Sequence, residues 1–150
     1  MTAEPAPAPA PIGIVLCCHG DMAAGLRSAA EMIVGPQRDL AVVGVRPADG
    51  RPEVERALLE AAASVDRGAG VLVMTDIPGG TPCIEAARQR SATVELVAGV
   101  NLPALIKALM RRGQAADPRA LAAEAAESGR KHVSSGIELF APPGGEQVER

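Results

Sequence analysis

The sequence predicts a three-layer α/β fold, a doubly wound and mostly parallel sheet with helices on both faces. Three observations carry that reading. Short apolar runs alternate with longer stretches of helical periodicity along most of the 150 residues. The apolar runs are continuous, as in strands buried on both faces. Each run stops at a cluster of Gly, Pro, Asp or Asn, the punctuation expected of connecting loops. Regular βαβ alternation then implies parallel strands joined by right-handed crossovers, and the length suits a single core.

The first eleven residues read as a disordered leader, because Thr2 to Pro11 alternate Ala and Pro with one Glu and offer nothing to pack. The folded domain is expected over residues 12–141, followed by a loose Gly- and Pro-containing tail at 142–150. Its first strand is Ile12 to Cys18, stopping at His19-Gly20. Met22 to Val34 places apolar groups at Met22, Leu26, Ala29, Ala30 and Ile33, a helical spacing closed by Gly35-Pro36. Leu40 to Val45 is the second strand, Pro52 to Val65 a helix, and Val71 to Thr75 the third strand. Thr81-Pro82 opens a further helix with a capping residue and an early proline. Val94 to Ala98 is the fourth strand, and Leu102 to Met110 a helix. After an Asp-Pro break, Pro118 to about Val133 reads as helical, and Gly136 to Phe140 as a short final strand.

Composition excludes several function classes. Fifteen basic against eighteen acidic side chains leave a formal charge of −3, with no basic block to neutralise a row of phosphates, so nucleic acid is not an expected partner. Phe140 is the only aromatic residue, which also removes base-stacking platforms. The apolar runs fall far short of the roughly 20 residues of a membrane-spanning helix, so no membrane insertion is expected. Cys17, Cys18 and Cys83 form an odd set, and no basic and apolar leader opens the chain, so neither a disulfide framework nor secretion is expected. The protein reads as soluble and cytoplasmic.

In an open parallel sheet, reactive groups gather beyond the carboxyl ends of the strands, near the point where strand order reverses. Those ends carry Cys18-His19-Gly20-Asp21, Arg46-Pro47-Ala48-Asp49-Gly50, Thr75 to Pro82, and Gly99-Val100-Asn101. In the flavodoxin-like order 2-1-3-4 the first and third strands are neighbours, about 4.8 Å apart, so His19 and Asp76 face each other. An aspartate that accepts from one imidazole nitrogen fixes the tautomer and leaves the other lone pair free to attack an electrophile. Gly79, Gly80 and Thr81 add amides and a hydroxyl at a helix N-terminus, an anion site. Together these make a reversible phosphohistidine chemically reasonable. Residue types alone also allow a bland reading, with His19 a hydrogen-bonded structural residue, Asp76 a loop acceptor and Gly79 to Pro82 a turn with a cap. His132 is expected as a dipole partner at a helix C-terminus or a surface residue.

Competing motifs fail. Gly20 to Gly25 has the glycine spacing of a nucleotide-phosphate loop, but Leu26-Arg27-Ser28 follows where Lys and Ser or Thr are needed. Cys17, Cys18 and His19 are adjacent on a strand, so their side chains alternate between faces, and no second ligand pair is evident; no metal is expected. The arginine six places beyond Cys17 or Cys18 that a cysteine-dependent phosphatase needs is absent, since Ala23 and Ala24 stand there.

Four blocks resemble a known family in the same order: Ile14-Val15 leading to His19-Gly20; Ala30-Glu31-Met32-Ile33-Val34-Gly35; Val73-Met74-Thr75-Asp76 with Gly79-Gly80-Thr81-Pro82; and Ala98-Gly99-Val100-Asn101-Leu102-Pro103. They resemble the mannose-type enzyme IIA domains of the phosphoenolpyruvate:sugar phosphotransferase system. That resemblance implies a phosphotransferase in which His19 receives a phosphoryl group from the phosphocarrier HPr and donates it to an enzyme IIB domain. It makes Asp76 the orienting carboxylate and puts the Thr81 hydroxyl and amide beside the phosphoryl group, with Gly79 and Gly80 shaping that loop. It implies no small-molecule cofactor, and a homodimer whose last strand can cross to the partner, a role open to Gly136 to Phe140. Cys18 departs from the Thr or Ser of many relatives, and Ile77-Pro78 from a more polar or aromatic pair, a change bordering the site and bearing on partner choice. No enzyme IIB-like segment follows the domain in this sequence, so the acceptor is expected on a separate protein. Two other readings stay open: a regulatory enzyme IIA whose phosphorylation state signals to a non-transport partner, and a flavodoxin-like binding domain without phosphoryl chemistry. For the last, the lack of aromatics disfavours a flavin.

Overall fold

The computed structural model describes residues 2–140. Four strands, β1 (Gly13–His19), β2 (Leu40–Val45), β3 (Val71–Thr75) and β4 (Val94–Ala98), form one sheet in the order β2-β1-β3-β4. Every pairing is parallel. The helices are α1 (Met22–Val34), α2 (Arg51–Val65), α3 (Thr81–Arg88), α4 (Leu102–Arg111), α5 (Pro118–Lys131) and α6 (Gly136–Phe140).

Strand alternation divides the core in two. Ile14, Leu16, Cys18, Leu72 and Met74 point to one face and pack with Ala30, Leu105, Leu109, Leu121 and Ala125 of α1, α4 and α5. Val15, Cys17, Val71 and Val73 point to the other and pack with Val54, Leu58 and Ala86 of α2 and α3. A continuous apolar run is thus what a central strand needs, since both of its faces are covered. Burial of each Leu or Val contributes about 1.5–3 kcal/mol, so β1, buried from Gly13 to Cys18, anchors the fold and fixes where His19 emerges.

Capping sets the loops at the functional end of the sheet. Asn101 accepts from the Ala104 N–H at 3.0 Å and donates to the Gly129 carbonyl at 2.9 Å, starting α4 and tying it to α5. At the opposite, amino end of the sheet, Asp117 caps α5 through the Ala120 N–H at 2.8 Å, beside Gly70. Thr81 is the first residue of α3 and not its cap. Gly80 holds the cap position, and no side-chain capping bond forms there.

The last segment differs from the expected strand. Gly136–Phe140 is a single turn of helix, and the sheet has no fifth strand among the described residues. The cause is local: the Ser135 N–H donates to Glu138 Oε2 at 2.9 Å, the Glu138 N–H reaches Ser135 Oγ at 3.4 Å, and the Leu139 N–H bonds the Ser135 carbonyl at 3.1 Å. That reciprocal Ser/Glu arrangement is a capping box. The expected tail at 142–150 lies outside the described residues.

Candidate functional site

β1 ends in a turn that lifts His19 clear of the core. Gly20 has φ +58, a left-handed conformation that glycine adopts without Cβ strain, and its N–H donates to the Val45 carbonyl at 2.9 Å. The His19 side chain is 52% exposed and that of Asp76 only 11%. Because β1 and β3 are neighbours, with Cys17 in register with Thr75, His19, two residues beyond Cys17, meets Asp76, one beyond Thr75. Asp76 Oδ2 accepts from the His19 backbone N–H at 2.8 Å and lies 2.9 Å from His19 Nδ1, while Oδ1 accepts from the Ile77 N–H at 2.8 Å.

These bonds settle the ionic state of the carboxyl. Burial alone would raise the affinity of Asp76 for a proton, but the bonds from the His19 amide, the His19 ring and the Ile77 amide outweigh it and hold the carboxyl below its usual range. An ionised carboxylate can only accept, so in the neutral ring Nδ1 carries the proton and Nε2 keeps its lone pair. A ring held in this tautomer has a lone pair that can attack an electrophile.

The loop after β3 forms the wall beside the ring. A Cβ on Gly80 would stand 2.9 Å from His19 Cε1 and 3.0 Å from Ile77 Cγ2, so only glycine lets the imidazole lie against this backbone. Gly79, with φ +81, contributes the turn. The Gly80 N–H makes a long 3.3 Å bond to the Ile77 carbonyl, which occupies one amide of the expected anion cluster. Thr81 and His19 line the same cleft, about 360 Å³ in volume, with Gly20, Val45, Arg46, Pro47 and Asp49. The structure therefore brings His19, Asp76, Gly80 and Thr81 together, with Gly79 behind them.

Sequence reasoning placed Arg46 and Asp21 at strand ends without assigning Arg46 to the cleft or pairing it with Asp21. Arg46 Nη2 donates to Asp21 Oδ1 at 2.5 Å. The available signal was position: Arg46 leaves the second strand, which neighbours the first in the expected order. The other singled-out residues lie apart. Cys18 and Cys17 fall into opposite cores, and burial first, then nearby negative charge, pushes both thiols up to about 12, leaving them protonated and inert at neutral pH. His132 terminates α5, with Nδ1 2.8 Å from the Ser128 carbonyl.

Fold and site together define a doubly wound α/β domain that presents a carboxylate-held imidazole at the carboxyl edge of its sheet. Residues 13–126 match the family model EIIA-man, described as the PTS system fructose IIA component. The chain belongs to this family of phosphotransferase-system IIA components. It is similar to the PTS system mannose-specific EIIAB component of Escherichia coli (strain K12), 32% identical over 126 residues, which cover 83% of this chain and 39% of that relative. It thus spans about two fifths of the length of that protein. The PTS system fructose-specific EIIA component of Bacillus subtilis (strain 168) is 30% identical over 103 residues, 67% of this chain and 70% of the relative. Among solved structures, the mannose/sorbose specific IIA subunit of the phosphotransferase system from Enterococcus faecalis superposes with a TM-score of 0.75 at 28% identity, covering 83% of this chain and 94% of the other. No helix among the described residues is long and apolar enough to cross a membrane.

Proposed function

We propose that this chain is a phosphocarrier of a sugar phosphotransferase system, accepting a phosphoryl group from phospho-HPr on His19 Nε2 and passing it to an enzyme IIB partner. The observation that carries the reading is the 2.9 Å contact between His19 Nδ1 and Asp76 Oδ2, which in the neutral ring directs the proton to Nδ1 and leaves Nε2 its lone pair, with His19 and Thr81 lining one cleft. Family membership supplies the reaction class.

In the forward step the Nε2 lone pair attacks phosphorus. The N–P bond to the donor histidine breaks, and its electron pair returns to the donor ring. Positive charge develops on the His19 ring, and the Asp76 carboxylate stabilises it through the Nδ1 proton. The Thr81 hydroxyl and amide at the start of α3 receive the phosphoryl oxygens. Transfer to the acceptor reverses these events, with no water consumed and no cofactor required. The work takes place in the cytoplasm, on a homodimer.

The test incubates the protein with phosphoenolpyruvate, enzyme I and HPr, then counts acid-labile phosphate. Wild type should label to one phosphate per chain and His19→Ala not at all. Equal labelling of the two would end the assignment.

A further inference from the structure

Arg46 stands closer to the chemistry than its place in the sequence suggests. It follows Val45, the register partner of His19 across β1 and β2, and the bond from the Gly20 amide to the Val45 carbonyl ties those two strand ends together. The guanidinium lies beside that tie: a Cβ on Gly44 would meet the Gly20 carbonyl oxygen at 2.7 Å and Arg46 Nη2 at 3.8 Å. The Arg46 backbone N–H is held by Asp49 Oδ2 at 2.7 Å, so the root of the side chain is pinned. Its tip is not. The Asp21 partner is 85% exposed and Arg46 itself 56%. Among the described residues lining the cleft with His19 and Thr81, Arg46 is the only lysine or arginine.

Charge favours an exchange of partners. A phosphoryl group on Nε2 brings up to two negative charges into a cleft already bordered by Asp76 and Asp49. An exposed ion pair such as Arg46–Asp21 contributes only about 0–1 kcal/mol, so little opposes its opening. A guanidinium presents a planar fork that matches two phosphoryl oxygens, and a dianion outcompetes a carboxylate for it. We propose that Arg46 is the cation of the phosphoryl site, resting on Asp21 while His19 is free and turning onto the phosphoryl oxygens once Nε2 is loaded. Asp21 then sets how firmly the group is retained. The inference rests on the phosphocarrier reading. The exchange breaks the N–H···O bond to Asp21 and makes N–H···O bonds to the phosphoryl oxygens, and Arg46 forms no covalent bond.

The test compares wild type, Arg46→Gln, Arg46→Lys and Asp21→Asn, each loaded from phospho-HPr. It reads the phosphoryl equilibrium between HPr and this chain, and the pH titration of the phosphoryl resonance by phosphorus NMR. Arg46→Gln should shift the equilibrium toward phospho-HPr by about 3- to 10-fold and raise the titration midpoint. Asp21→Asn should shift both in the opposite direction, and Arg46→Lys should fall between wild type and Arg46→Gln. Opposite shifts from two touching side chains are not what a merely structural pair produces. Wild-type values in both Arg46→Gln and Asp21→Asn, with label still on His19, would overturn the role of Arg46 alone. Failure of wild type to label would overturn the phosphocarrier reading and this one together.

Discussion

The two ends of the sheet use polar groups in opposite ways. At the amino end, Arg112 is 8% exposed, and its guanidinium donates to the Asp39 carbonyl at 3.0 Å, the Arg38 carbonyl at 2.6 Å and Gln37 Oε1 at 3.1 Å. Its own carbonyl accepts the Ile12 N–H. The cluster is closed, and it fastens the end of α4 to the segments entering β1 and β2. At the carboxyl end, Asp76 engages only one edge of a half-exposed imidazole, and Arg46 rests on a solvent-exposed partner. Saturated bonding holds a structure, and a deliberately unfilled valence beside it leaves room for chemistry. Perturbing the carboxyl end should therefore cost transfer and little stability, and perturbing the amino end the reverse.

The largest expected effect is at Asp76. Asp76→Asn can still accept from the His19 amide, but its neutral oxygen no longer stabilises a cationic ring, and its NH2 group favours the wrong imidazole tautomer. Phosphoryl transfer from HPr should slow by on the order of 100-fold or more, with stability in urea at neutral pH only modestly lower, by the carboxylate's own contribution. Wild-type rates would remove the carboxylate from the mechanism. Arg112→Met should do the converse. Removing the guanidinium leaves the Arg38 and Asp39 carbonyls unpaired, for a loss of about 2–3 kcal/mol in urea unfolding. Transfer per folded molecule should stay at the wild-type rate, and a rate loss would show the two ends to be coupled.

A smaller effect is expected at Gly80. In Gly80→Ala the new Cβ would crowd His19 Cε1 and Ile77 Cγ2. The half-exposed ring can move aside, but doing so stretches its bond to Asp76. A roughly 10-fold slowing of transfer is expected, readable by rapid-quench labelling. An unchanged rate would mean that the ring has room the geometry does not show.

What the sequence revealed of this contrast follows from which forces are local. β2, β3 and β4 begin and end at the residues their apolar runs indicate, because a strand covered on both faces leaves a continuous apolar signature. Helix ends moved by a residue or two, with α2 starting at Arg51 and α5 ending at Lys131, since several residues can terminate a turn. The meeting of His19 and Asp76 was legible because parallel neighbours must bring their carboxyl ends together. The final segment was misread because its apolar composition suits a strand, whereas Ser135 and Glu138 form a capping box that decides for helix. Arg112 and the Arg46–Asp21 pair were missed for a different reason. Long side chains choose partners 25 to 75 positions away, and no periodicity records which way a guanidinium turns.

The finest separation of the two ends comes from acid. Asp76 is held below the usual carboxylate range in the folded chain and returns to about 4 when unfolded. Its contribution to stability is thus fully present above that value and is lost as pH falls through the lower, folded value. Arg112 stays charged across this range, so the amino-end cluster adds no pH dependence of its own. As pH falls from about 5, wild type should lose more stability than Asp76→Asn, measured by urea unfolding at each pH. If the two proteins lose stability in parallel, the amide and imidazole bonds to Asp76 hold its charge no more tightly than solvent does, and the fixed tautomer of His19 loses its physical basis.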